Sequence, residues 1–87
     1  MSDYKLVLDY EILGFIERLG RDDRRRLHEQ LVHLRQWPHN YAQRKVVGEG
    51  GRTYFICVSE KFAVKYWIDE AVKEVRVLDF HPVRFGT

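Results

Sequence analysis

The residues best suited to chemistry gather on one alternating stretch. From Phe62 to Asp69 the side chains alternate. Phe62, Val64, Tyr66 and Ile68 line one face of a strand, and Ala63, Lys65, Trp67 and Asp69 line the other. The second face offers Lys65 and Trp67. Arg76 joins it from the following strand, with Arg44, Lys45 and Arg52 nearby on the preceding strand and turn and His81 at the sheet's end. Cations interleaved with aromatics suit single-stranded RNA, because phosphates meet Lys and Arg while bases stack on Trp67 or Tyr54. A histidine such as His81 beside them can serve as general acid or base on a ribose 2′-hydroxyl, since imidazole ordinarily titrates near neutral pH. The alternative is plainer: Trp67 packs under the C-terminal tail and the cations are solvated surface.

Other chemistries fit less well. The four histidines are His28, His33, His39 and His81. The first two are five apart on one helix, diverge by about 140°, and cannot share an ion. Cys57 is the only cysteine. It has no partner for a disulfide or a metal site, and within Tyr54-Phe55-Ile56-Cys57-Val58 it reads as a buried small hydrophobe in a reducing compartment. Neither metal nor cofactor is expected. Gly48-Glu49-Gly50-Gly51 is glycine-rich, but a strand follows it, so the helix N-terminus of a phosphate-binding loop is missing. Ser2 and Ser59 lack the setting of a hydrolase nucleophile.

The elements that must position these residues follow from periodicity. Tyr4-Lys5-Leu6-Val7-Leu8 is a β-rich opening strand. Asp9 stands where an N-cap belongs, and Ile12, Phe15, Ile16 and Leu19 recur at helical spacing after it. Gly20 is expected to stop that helix in the left-handed conformation. Asp22 or Asp23 then caps a second helix with an apolar stripe of Leu27, Leu31, Leu34 and Trp37, ended by Pro38. From Arg44 the period changes to two. Arg44–Val47, Thr53–Val58, Phe62–Asp69 and Glu74–Phe80 read as strands, and His81 to Thr87 as a tail. Strand, helix, helix, then an antiparallel β-meander defines an α+β layer pair in which a two-helix hairpin packs on the sheet.

Size and charge bound the rest. A chain of 87 residues holds one domain, 1–87, burying about 60–65% of its unfolded surface. No apolar run approaches a membrane span of about 18–20 residues, and no signal peptide opens the chain; a cytoplasmic protein with no membrane partner is expected. The net charge is only +2. Residues 21–52, however, carry eight Lys and Arg against four Asp and Glu, while residues 1–20 are net acidic and residues 53–87 balance. A basic middle third attracts phosphate backbones or an acidic protein.

The order of elements resembles the RelE/ParE superfamily of bacterial toxins over nearly the whole chain. The signals are the Tyr4–Asp9 strand leading into a helix, the Leu19-Gly20 break, a helix ending near Trp37-Pro38, and Val64-Lys65-Tyr66-Trp67-Ile68-Asp69 followed by Val75-Arg76-Val77-Leu78. The resemblance implies a toxin of a type II toxin–antitoxin system, neutralised by a cognate antitoxin. RelE-like members cut messenger RNA on the ribosome and ParE-like members poison DNA gyrase. On the first pattern His81 matches a catalytic histidine near the C-terminus, with Arg52 and Lys65 serving the phosphate and Arg44, Lys45, Tyr54, Trp67 and Arg76 holding RNA. Active RNA-cutting members carry an arginine in a Tyr-Arg-x-x-Tyr segment of the central strand. The coincidence of His81 with the basic middle third favours the ribosome-dependent messenger RNA endoribonuclease, while Ala63, standing in that arginine's place, favours the alternative of a non-catalytic or gyrase-inhibiting ParE-like binding protein.

Overall fold

The computed structural model describes residues 4–83; the expected tail beyond Val83 lies outside them. In chain order the elements are β1 (Lys5–Val7), α1 (Tyr10–Arg18), α2 (Arg21–Gln36), β2 (Arg44–Val47), a 3-10 turn (Glu49–Gly51), β3 (Thr53–Val58), β4 (Phe62–Asp69) and β5 (Glu74–Pro82). The helices cover one face of a five-stranded sheet of order β1-β5-β4-β3-β2. The meander from β2 to β5 is antiparallel as expected, and β1 adds to it in parallel beside β5, so the complete sheet is mixed.

Asp9 caps α1 by accepting from the Ile12 amide at 2.9 Å, a contact worth about 1 kcal/mol. Gly20 does not adopt the expected left-handed stop. Its φ of −63° and ψ of 163° are extended, and its carbonyl accepts from Arg24 as the N-cap of α2. The chain therefore enters the second helix directly. Asp22 and Asp23 fall in the first turn rather than at the cap, where carboxylates complement the helix's positive end. Trp37 also departs from expectation: it is the C-cap of α2, 58% exposed, and the stripe ends at Leu34.

Between the layers lie Ile12, Leu27, Leu31, Leu34, Phe55, Cys57, Phe62, Val64, Tyr66, Val75 and Val77. Two polar side chains lock this face. Gln30, 3% exposed, donates to the carbonyls of Cys57 and Phe62, both at 3.2 Å, and accepts from the Ser59 hydroxyl at 3.1 Å. It thereby ties α2 to the β3–β4 hairpin. Tyr66 stacks on Phe55 and donates its hydroxyl to the Pro38 carbonyl at 2.6 Å. Burial pushes the Tyr66 hydroxyl and the Cys57 thiol to higher pKa, so both stay neutral.

β5 runs two residues further than expected, and His81 and Pro82 pair with Ala63 and Phe62 instead of opening the tail. That pairing extends the β4–β5 ladder to the first residues of β4. A bulge separates the Tyr66–Val77 pair from the Lys65–Asp79 pair, with Leu78 as the extra residue. The bulge reverses the alternation of β5. Val75 and Val77 point to the core before it; after it Phe80 packs there, and Asp79 and His81 turn to the open face.

Candidate nucleic-acid interface

The uncovered face is built in lateral rows. One row crosses four strands: Arg44, Ile56, Lys65 and Asp79. The row toward the end of β5 is Val58, Ala63 and His81. On the other side of Lys65, Trp67 lies opposite Arg76.

The turn before β3 delivers Arg52. Gly50 and Gly51 take φ of 75° and 78°, a left-handed region that side chains disfavour, and the Gly48 amide closes the turn on the Arg52 carbonyl at 2.8 Å. The Arg52 guanidinium then lies 4.1 Å from the centre of the Trp67 ring, and Arg76 lies 5.8 Å from the same ring. Arg76 is also paired with Glu74 at 2.8 Å. One row over, the Lys65 ammonium sits 4.8 Å from the centre of the Tyr54 ring. Arg44, Arg52, Tyr54, Lys65, Trp67 and Arg76 thus share one surface.

Two sequence expectations change. Lys45 does not join that surface. The pleat that turns Arg44 outward places Lys45 opposite Phe55 on the helix side, with its ammonium 5.8 Å from the Phe55 ring. The trio His81, Arg52 and Lys65 does not converge either. His81 and Lys65 are diagonal neighbours across β4 and β5, about 7–8 Å apart at the backbone. Arg52, stacked at Trp67, is four residues along β4 from the His81 row, roughly 13 Å away. Arg52 therefore groups with Trp67 and Arg76, and Lys65 alone accompanies His81. Ala63, buried between Val58 and His81, offers no cation there.

This arrangement of the backbone has counterparts among solved proteins. The toxin–antitoxin complex RelBE2 of Mycobacterium tuberculosis contains a chain matching with a TM-score of 0.78 at 15% identity, over 92% of this chain and 98% of that one. The RelE–RelB complex of Pyrococcus horikoshii matches at 0.74 and 18% identity, covering 91% and 93%. The isolated RelE toxin of E. coli matches at 0.70 and 20% identity, covering 95% and 87%. The fold is RelE-like. No family pattern and no curated protein matches by sequence, so the likeness lies in the fold.

The RelE-like fold carries two further features that periodicity did not single out. A groove of about 870 Å³ opens between β1, α1 and α2, floored by Leu6, Leu13, Ile16 and Leu31 and rimmed by Arg24, Arg25 and Arg35. The basic middle third of the chain was its only signal. At one end of the sheet, Glu70 accepts from the Tyr4 hydroxyl at 2.8 and 3.0 Å, meets His39 Nε2 at 2.6 Å and pairs with Lys73 at 3.2 Å. Chiefly the Tyr4 hydrogen bond, then that from His39, lowers the Glu70 carboxyl to about 2. No group of metal-binding side chains occurs among the described residues, and no helix there is long and apolar enough to cross a membrane.

Proposed function

We propose that this chain is the toxin half of a toxin–antitoxin pair and that its open sheet face is directed at messenger RNA on the ribosome. The observation that carries the reading is the pairing of cations with rings on that face, Arg52 on Trp67 and Lys65 on Tyr54, in a RelE-like fold. Arg44 and Arg76 extend the positive strip for the backbone. His81 would take the proton from a ribose 2′-hydroxyl as its oxygen attacks phosphorus, and the 5′-oxygen would leave with a proton from water as its bond to phosphorus breaks. Lys65, one row away, would neutralise the phosphate.

Ala63 favours a second reading. A transition-state cation is commonly worth about 10²–10³-fold in rate, and the position beside His81 lacks one. The same face would then bind without cutting, as in a non-catalytic or gyrase-directed ParE-like protein.

Induced expression of wild type beside His81→Ala, with transcripts followed by primer extension, separates the two. Growth arrest with cuts at ribosome-bound codons in the wild type alone supports the ribonuclease. Arrest without cuts favours the binding protein, whereas cuts that survive His81→Ala keep a ribonuclease and remove His81 from its chemistry.

The proposed antitoxin is an acidic amphipathic helix seated in the groove beside β1. Apolar floor and arginine rim are complementary to such a segment. Charge reversal at Arg24 and Arg25 is expected to weaken that complex and leave the open face intact.

A further inference from the structure

The rings of the open face are already occupied in the free protein. Arg52 covers Trp67 and Lys65 stands over Tyr54. Tyr54 is fixed from a second direction as well. A Cβ built on Gly48 would come within 2.9 Å of Cδ2 of the Tyr54 ring and closer still to Cε2, so the backbone of Gly48 is the wall against which the ring rests. Only glycine leaves room for the ring there.

We propose that Tyr54 and Trp67 are two successive base-stacking positions for single-stranded RNA, capped at rest by Lys65 and Arg52 and held in place by Gly48. The inference rests on the RNA-directed reading of this face and adds that both rings are used in succession, that cations cap them at rest, and that Gly48 is a positioning residue. An exposed cation over a ring shifts an equilibrium only about two- to fivefold, whereas stacking a base on an aromatic ring is worth about five- to 150-fold. Bases therefore displace the cations. Each displaced cation is left beside the phosphate of the nucleotide that replaced it, so it continues to contribute to binding. Arg76, tied to Glu74, stays at the rim of the Trp67 ring while Arg52 moves.

The test uses the full chain carrying Trp37→Phe, which leaves Trp67 as the single tryptophan, and the trinucleotide r(AAA) beside an abasic ribose-phosphate chain of equal length. r(AAA) is expected to quench Trp67 fluorescence and the abasic chain to bind without quenching. Gly48→Ala should weaken r(AAA) about fivefold or more and leave abasic binding unchanged, with the far-ultraviolet circular dichroism of the parent. If Gly48→Ala loses that spectrum, Tyr54→Leu carries the same expectation. In Arg52→Ala the Trp67 ring is open at rest, so free adenosine should quench it more strongly than in the parent. Equal affinity for the two chains without quenching, or adenosine quenching unchanged by Arg52→Ala, overturns the proposal. Because these assays contain no ribosome, quenching without transcript cleavage in cells removes the ribonuclease and keeps the platform. Cleavage without quenching removes the platform and keeps the ribonuclease.

Discussion

The two faces of this sheet use the same strands for opposite ends. On the covered face, aromatic and aliphatic side chains interlock with α1 and α2, and the polar groups that enter, Gln30 and the Tyr66 hydroxyl, are paired. On the open face the aromatic rings meet cations and solvent. Burial concentrates on the first face, and the proposed RNA contacts fall on the second. One strand serves both because its side chains alternate, so Tyr66 and Trp67 are adjacent in sequence and lie on opposite faces.

The two faces should respond differently to substitution. The largest effect is expected at Leu34, fully buried beneath the sheet. Leu34→Ala should lower unfolding free energy by about 3–5 kcal/mol, read by urea denaturation, through lost burial plus the cavity left behind. Gln30→Leu comes next. It keeps the volume but removes the Gln30 hydrogen bonds to the Cys57 and Phe62 carbonyls and from the Ser59 hydroxyl, and a loss of about 1–3 kcal/mol is expected. A stability gain instead would show that the polar lock is dispensable and that the covered face depends on burial alone. On the open face Lys65→Ala should change stability by no more than about 0.5 kcal/mol while lowering affinity for single-stranded RNA and its salt dependence. A large loss of stability there would erase the distinction between the faces.

The two faces also differed in how far the sequence disclosed them. The alternation from Phe62 to Asp69 named the buried and open sides of β4 correctly, because a half-buried strand needs its apolar residues two apart. The same rule sorted Val75, Arg76 and Val77. Carried on, it would have turned His81 toward the core. The bulge at Leu78 reverses the parity, and Val77-Leu78-Asp79 contains no glycine or other local mark of it. Nearness in sequence suggests that Lys45 joins Arg44, but neighbours in a strand lie on opposite faces. The parallel pairing of β1 could not be read either, since a three-residue strand takes its direction from where the helices return the chain. Trp37 followed the helical period one turn too far because apolar character alone does not show where a helix ends.

A third region belongs to neither face. Glu70 lies at the end of the sheet, where Tyr4 from the chain ahead of β1 and His39 from the α2–β2 connection meet the β4–β5 turn. Its carboxyl is lowered from 4.5 to about 2, so the folded state favours the ionised form more than the unfolded chain does. The stabilisation this gives is fully present above pH 4.5 and is lost as pH falls toward 2. Solvent reaches the whole cluster, so the effect should be the smallest of those predicted here and should shrink as salt is added. Urea midpoints of wild type and Glu70→Gln measured from pH 6 down to pH 2 are expected to differ most at the upper end and to converge at the lower. Midpoints offset by a constant amount at every pH would mean that Glu70 acts through hydrogen bonds that its amide retains or loses regardless of charge. The rim would then behave like the covered face, held by geometry rather than by ionisation.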